Sequence, residues 1–123
     1  MEQALPLLIV ERNQDMRTML QRFFARQQVE AQSVSSTADA QAYLAQHPVR
    51  VVLTDLLLPH GDGLALVRHL RQVVPPTRAV VMGAFSDPAT QQQAIEAGAY
   101  AFIDKPFTLE RLWGLIQRAL QDD

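Results

Sequence analysis

The chain alternates short apolar runs with stretches in which apolar residues recur every three or four positions. Runs of four apolar residues, such as Leu7–Val10 and Ala79–Met82, are typical of strands that are covered on both faces. The stretches between them have the spacing of amphipathic helices, as in Met16, Met19, Leu20, Phe23 and Phe24. Five strands that alternate with five helices predict an α/β fold, in which a doubly wound parallel sheet carries helices on both faces.

The same pattern predicts where each element lies. Strands are expected at Leu7–Val10, Val29–Val34, Val51–Thr54, Ala79–Met82 and Ala101–Ile103. The second strand is more polar than the others, so we expect it at an edge of the sheet. The first helix is expected to begin after an N-cap at Asn13 and to end near Gln27–Gln28. Further helices are expected at Thr37–Gln46, around Leu64–Leu70, from Ser86-Asp87-Pro88 to Gly98, and at Leu109–Leu120.

Composition narrows the class of protein. The 123 residues suit a single domain, 1–123. The absence of cysteine excludes disulfides and thiolate metal sites, and favours a cytoplasmic location. The 11 basic and 13 acidic residues form no basic block, so we expect no direct binding of nucleic acid. No apolar run approaches the roughly 18 residues of a membrane helix, and the start lacks the cationic region of a signal peptide.

Chemistry-bearing residues follow several of the expected strands. In parallel sheets the functional groups gather beyond the carboxyl ends of the strands. Those ends carry Glu11, Arg12, Asp55, Gly83, Asp104 and Lys105. A carboxylate such as Asp55 can act as a nucleophile or a metal ligand, and a nearby Lys105 can neutralise negative charge. The alternative is that Asp55 caps a turn and Lys105 is a solvated surface lysine.

Four fragments, in this order and at these separations, carry a resemblance to a known family. They are Ile9-Val10-Glu11, Leu53-Thr54-Asp55 four residues before Pro59, Asp62-Gly63-Leu64, and Ala97-Gly98-Ala99 followed by Asp104-Lys105-Pro106-Phe107. Together they resemble the receiver domain of two-component response regulators, over essentially the whole chain. The resemblance implies a flavodoxin-like (βα)5 fold with strand order 2-1-3-4-5.

The resemblance also implies a mechanism. Asp55 would take a phosphoryl group from a phosphohistidine on a sensor histidine kinase, and Lys105 would contact the phosphoryl oxygens. A Mg²⁺ ion would be held by Glu11, Asp55 and the backbone carbonyl of Leu57. Such a domain is not an enzyme beyond catalysing its own phosphorylation.

Arg12 departs from the family pattern, which has a second acid at this position. A guanidinium is always charged and is no metal ligand. Two acids, Glu11 and Asp55, then face two cations, Arg12 and Lys105, so the charges sum to zero and weak or absent Mg²⁺ binding is expected. Two orientations of Arg12 are open. Either its side chain folds over the pocket and pairs with Asp55 or Glu11, or it points outward and Mg²⁺ binds weakly through those two carboxylates.

Gly83 is a second departure, because the family has a threonine or serine there. Glycine offers no hydroxyl to a phosphoryl oxygen, so the usual switch between this position and the aromatic Phe102 lacks its first link. The alternatives are that Gly83 permits a tight backbone path and that Phe102 is an ordinary core aromatic.

These departures favour an atypical receiver, which signals by protein–protein interaction with little or no Mg²⁺-dependent phosphorylation. The alternative is a conventional receiver with Asp55 as phosphoacceptor. A flavin-binding or phosphatase-like protein fits less well, because Glu11–Gln14 forms no glycine-rich phosphate cradle and Leu57 stands where a phosphatase would carry an acid. The expected partner surface, by resemblance, is the fifth strand with the fourth and fifth helices. That surface could bind a signalling protein or form a homodimer.

Overall fold

The computed structural model describes residues 3–58, 61–73, 76–84 and 88–121, with only the backbone described at 58, 61 and 62. Within these residues the main strands are β1 (Leu5–Val10), β2 (Ala31–Val34), β3 (Val49–Asp55), β4 (Arg78–Ala84) and β5 (Ala101–Lys105). The helices are α1 (Gln14–Arg26), α2 (Thr37–Gln46), α3 (Gly63–Leu70), α4 (Pro88–Ala97) and α5 (Leu109–Gln121). A short antiparallel hairpin joins Leu57–Leu58 to Gly61–Asp62.

The five main strands form one parallel sheet in the order β2-β1-β3-β4-β5. This confirms the α/β fold class and the flavodoxin-like strand order expected from the sequence. In the register, Val10 lies beside Thr54, Asp55 beside Met82, and Gly83 beside Asp104. Two features named in the sequence lie outside the described residues: Pro59, and the helix start at Ser86-Asp87.

The sheet separates two apolar clusters, because successive side chains of a strand point to opposite faces. On one face Leu8 and Val10 of β1 pack with residues of α2, α3 and α4. On the other face Leu7 and Ile9 pack with residues of α1 and α5. Trp113 of α5 belongs to this second cluster, with its ring centroid 6.4 Å from that of Phe23 and 6.1 Å from that of Phe24.

Two local expectations from the sequence are wrong. The strand expected from Val29 begins at Ala31, because the preceding residues complete the end of α1: Gln28 has a φ of 62°, and the Val29 N–H donates to the carbonyl of Phe24 at 2.9 Å. Met19 was expected on the buried side of α1 but is 41% exposed, since Leu20 and Phe24 fill that side.

Side chains close the helix ends. The N-cap at Asn13 is confirmed, because its Oδ1 accepts from the N–H of Met16 at 2.9 Å. At the far end of α5, Arg50 of β3 donates to the carbonyl of Leu120, and Arg78 of β4 donates to the carbonyl of Ala119 at 3.0 Å. Cations suit this end, because the helix dipole is negative there. No helix in the described part of the chain is long and apolar enough to cross a membrane.

A pair of glycine substitutions tests the helix packing. A Cβ at Gly114, inside α5, would meet no atom within 4 Å, so Gly114→Ala should stabilise the domain by about 1 kcal/mol. At Gly98, φ is 114° and a Cβ would lie 2.7 Å from the Nε of Arg71, so Gly98→Ala should destabilise by about 1 kcal/mol or more. Urea unfolding followed by circular dichroism measures both. A destabilised Gly114→Ala variant would contradict the open surroundings described here.

Candidate functional site

Three charged residues meet at one edge of the sheet. Glu11 directly follows β1, Asp55 ends β3 and Lys105 ends β5, and the carboxyl ends of parallel strands share an edge. The Lys105 Nζ lies 3.4 Å from the Glu11 Oε2 and 3.4 Å from the Asp55 Oδ2. The Glu11 side chain is 3% exposed, whereas that of Lys105 is 23% exposed. The structure therefore brings together three of the residues singled out in the sequence; we call them the acid pocket.

The two carboxyl groups of the acid pocket interact directly. Burial raises the pKa of Glu11, and a hydrogen bond to Asp55 and the negative charge of Asp55 raise it further. The charge of Lys105 and its hydrogen bond to Glu11 act in the opposite direction without cancelling the increase in this pKa. The buried Glu11 carboxyl therefore gives up its proton less readily than an exposed glutamate does.

The backbone of Asp55 is held by Thr54 and Gly63, which the sequence singled out only as parts of the family fragments. The Thr54 hydroxyl donates to the Asp55 carbonyl at 3.0 Å. A Cβ at Gly63 would lie 2.3 Å from that carbonyl oxygen, and the Gly63 N–H donates to the Leu56 carbonyl at 2.7 Å. Only glycine fits at this position without moving Asp55. The available signal was the position of Gly63 just before an apolar helix.

The β1–α1 connection is fixed by Arg17, a residue without a distinguishing signal in the sequence. Its Nη1 donates to the carbonyl of Glu11 at 2.7 Å and to that of Arg12 at 3.0 Å. The side chain of Arg12 is exposed and makes no ion pair with any side chain that the structure describes. The interpretation in which Arg12 pairs with Asp55 or Glu11 is therefore wrong for this conformation, because Lys105 already occupies both carboxylates.

Gly83 and Phe102 are in contact across β4 and β5. A Cβ at Gly83 would lie 2.6 Å from the Phe102 Cζ, 3.2 Å from its Cε2 and 3.5 Å from the Leu56 Cδ2. The ring of Phe102 packs against the apolar cluster on the α2–α3–α4 face. The ring thus takes the space that any side chain at position 83 would need.

The donors available to a metal ion are few. Leu57, whose carbonyl the family resemblance implies as a Mg²⁺ ligand, lies in the short hairpin and is 62% exposed. Across the described ranges of the chain, no three His, Cys, Asp or Glu residues are grouped so that they could hold a metal ion. The acid pocket offers two carboxylates, both already bonded to Lys105.

An apolar cleft of about 470 Å³ adjoins the acid pocket. Its walls include Met16, Met19, Lys105, Pro106 and Phe107. This cleft explains the exposure of Met19, which faces it rather than the core. The acid pocket and an apolar surface therefore share Lys105.

Comparison with known proteins identifies the family. The model of the response regulator receiver domain matches residues 7–117. The response regulator protein PilR of Pseudomonas aeruginosa is 36% identical over 114 residues, which make up 93% of this chain and 26% of PilR. The chain spans about a quarter of the length of the curated relatives that it matches.

Solved structures of receiver domains resemble this chain as well. The receiver domain of NtrX from Brucella abortus is 28% identical with a TM-score of 0.87, and the match covers 95% of this chain and 99% of that one. The NtrC4 receiver domain, solved as a beryllofluoride-activated dimer, has a TM-score of 0.88 over 94% of this chain and 96% of that one; at 22% identity it shows the fold alone. The chain belongs to the response regulator receiver domain family. Receiver domains are signalling domains of two-component systems rather than classical enzymes, and they generally bind Mg²⁺.

The raised pKa of Glu11 predicts a pH dependence of stability. The folded state holds the Glu11 proton more tightly than the unfolded chain, so stability should fall as the pH rises from about 4.5 through the higher pKa of the folded state. Glu11→Gln removes this loss, so its melting temperature at pH 7 should exceed that of the wild type and vary less with pH. Glu30→Gln, which removes an exposed carboxylate, is the matched control. Parallel pH profiles for Glu11→Gln and the wild type would contradict the coupling.

The Gly83–Phe102 contact predicts the effect of restoring a hydroxyl. Gly83→Thr should push the Phe102 ring out of its cluster and cost about 1–3 kcal/mol of stability, because the new Cβ overlaps the ring. Nuclear Overhauser contacts between the ring and Leu56 measure its position. The same substitution in a Phe102→Leu background should cost less. Unchanged ring contacts in Gly83→Thr would refute this packing.

Proposed function

We propose that this domain is an atypical receiver, which signals by protein–protein contact with weak or absent Mg²⁺-dependent phosphorylation of Asp55. The observation that carries the proposal is the sharing of one ammonium, that of Lys105, by the only two carboxylates of the acid pocket, at 3.4 Å each. Arg12 stands where the family carries a third acid. Asp55 remains the proposed phosphoacceptor, and Lys105 the proposed contact for phosphoryl oxygens.

The charge and the pairing of the donor set disfavour a divalent cation. Ionised Glu11 and Asp55 with Lys105 give the acid pocket a net charge of -1, where a third acid would make it -2. Mg²⁺ usually binds one or two carboxylates and keeps several waters, so it would have to compete with Lys105 for both carboxylates. The positive charge of Arg12, one residue from Glu11, opposes it further. Glu11, Asp55 and the Leu57 carbonyl are the proposed ligands of any ion that binds weakly.

The proposed switch is altered as well. Gly83 has no hydroxyl to offer a phosphoryl oxygen, and the Phe102 ring fills the space above it. Nothing at position 83 would draw this part of β4 toward a phosphorylated Asp55. We therefore attribute the shape of the β4–β5 surface to packing rather than to the state of the pocket.

The proposed partners are a sensor histidine kinase or another signalling protein. The apolar cleft beside Lys105 supports contact with a partner close to Asp55. On α4, Ile95 is 48% exposed, and Glu96 is the sole charged residue of that helix. The exposed isoleucine on the weakly charged α4 supports self-association through α4, β5 and α5, and the activated NtrC4 receiver domain is a dimer. We propose no contact with nucleic acid or membrane.

The alternative is a conventional phosphoacceptor receiver. The specific observation in its favour is the placement of Lys105 within 3.4 Å of Asp55, where an ammonium could neutralise a phosphoryl group.

A Mg²⁺ titration followed by amide NMR separates the two functions. At millimolar Mg²⁺ the wild type should show no saturable shifts localised to the amides of Glu11, Asp55 and Lys105. Arg12→Asp, which supplies a third carboxylate, should show them. Arg22→Asp, the same charge change on an exposed part of α1, should behave as the wild type does. Saturable, localised shifts in the wild type would favour the conventional receiver.

A further inference from the structure

Arg12 directly follows Glu11, so this cation starts one residue from the acid pocket. We propose that Arg12 acts in place of the metal ion: its guanidinium, together with Lys105, neutralises a phosphoryl group as that group is transferred to Asp55. The domain would then accept phosphoryl groups without Mg²⁺. This inference rests on the proposed role of Asp55 as phosphoacceptor.

The charge of the acid pocket creates the need for a further cation. Lys105 is shared between Glu11 and Asp55, so its single positive charge leaves the pocket at -1. A phosphoryl group adds a charge of about -1.5 to -2 at neutral pH. Repulsion from the carboxylates would keep that group away from Asp55 unless another positive charge approaches it.

Arg12 lies on the β1–α1 connection and Arg17 lies near the start of α1, and the structure distinguishes the two arginines. Arg17 is committed, because its Nη1 donates to the carbonyls of Glu11 and Arg12 at 2.7 and 3.0 Å. The Arg12 side chain is exposed and pairs with no described acid, so its guanidinium is available to an arriving anion. Arg17 also fixes the backbone from which the Arg12 side chain starts, one residue or about 3.8 Å from Glu11.

The chemistry of the side chains favours this role. A guanidinium binds two oxygens of a phosphate at once through parallel N–H donors, which the ammonium of Lys105 does not do. Gly83 contributes no hydroxyl, so the phosphoryl oxygens lack a donor that the family provides. Arg12 carries five N–H donors and would supply both the missing charge and the missing hydrogen bonds.

The transfer balances without a metal or any redox partner. An Asp55 carboxylate oxygen forms a bond to phosphorus, and the bond from phosphorus to the donor nitrogen breaks. The departing nitrogen keeps the bond's electron pair and carries a proton from the donor or from water. Arg12 and Lys105 change neither bonding nor protonation, and serve only to stabilise the charge on the phosphoryl oxygens.

The experiment is phosphorylation of the domain by phosphoramidate, with either excess EDTA or Mg²⁺, followed by intact-protein mass spectrometry. The wild type should gain one phosphoryl group at similar rates in both buffers. In EDTA, Arg12→Gln should slow the reaction by about tenfold or more, whereas Arg22→Gln, a matched loss of exposed charge on α1, should not. Asp55→Asn should not react, and Arg12→Asp should react only with Mg²⁺. Circular dichroism confirms that each variant is folded.

The other results overturn the inference in distinguishable ways. A wild type that reacts with Mg²⁺ but not in EDTA overturns both this inference and the proposed loss of metal dependence. A wild type that reacts in neither buffer overturns both the inference and the proposed role of Asp55 as phosphoacceptor, and leaves signalling by protein contact standing. Equal rates for Arg12→Gln and the wild type in EDTA show that Arg12 has no part in the transfer.

Discussion

Two carboxylates buried beside a single ammonium are the interaction on which the site depends. Removing an unpaired charge from water costs several kcal/mol, so Glu11 and Asp55 are tolerable at the sheet edge because Lys105 lies 3.4 Å from each. Those three residues come from the ends of β1, β3 and β5. The pairing of these three residues therefore links strands that span most of the sheet. Another cation could bind the two carboxylates only in competition with Lys105.

The order and type of the elements could be predicted from the sequence, because apolar periodicity reports directly which side chains are covered. The boundary at Val29 could not, because it depends on Gln28 adopting a left-handed conformation that a non-glycine residue seldom takes. Met19 has the spacing of a core residue, and its exposure depends on the cleft formed with the β5–α5 connection.

The residues of the site could also be predicted from the sequence, whereas the contacts between their side chains could not. Glu11, Asp55 and Lys105 were identified by their positions after strands, but the sequence left two orientations open for Arg12. In the structure the Arg12 side chain is exposed, its backbone carbonyl accepts from Arg17, and Lys105 lies beside both carboxylates. Similarly, the absence of a hydroxyl at Gly83 was visible in the sequence, but the filling of that space by Phe102 depends on the alignment of β4 with β5.

The two arginines at the end of α5 have a mechanical consequence. Arg50 and Arg78 attach the last carbonyls of this helix to β3 and β4, two inner strands of the sheet. A tension applied at Gln121 would reach those strands through the two side chains before it could unwind the last turn of the helix. The end of α5 is therefore coupled to the inner strands through two side chains as well as through its apolar face.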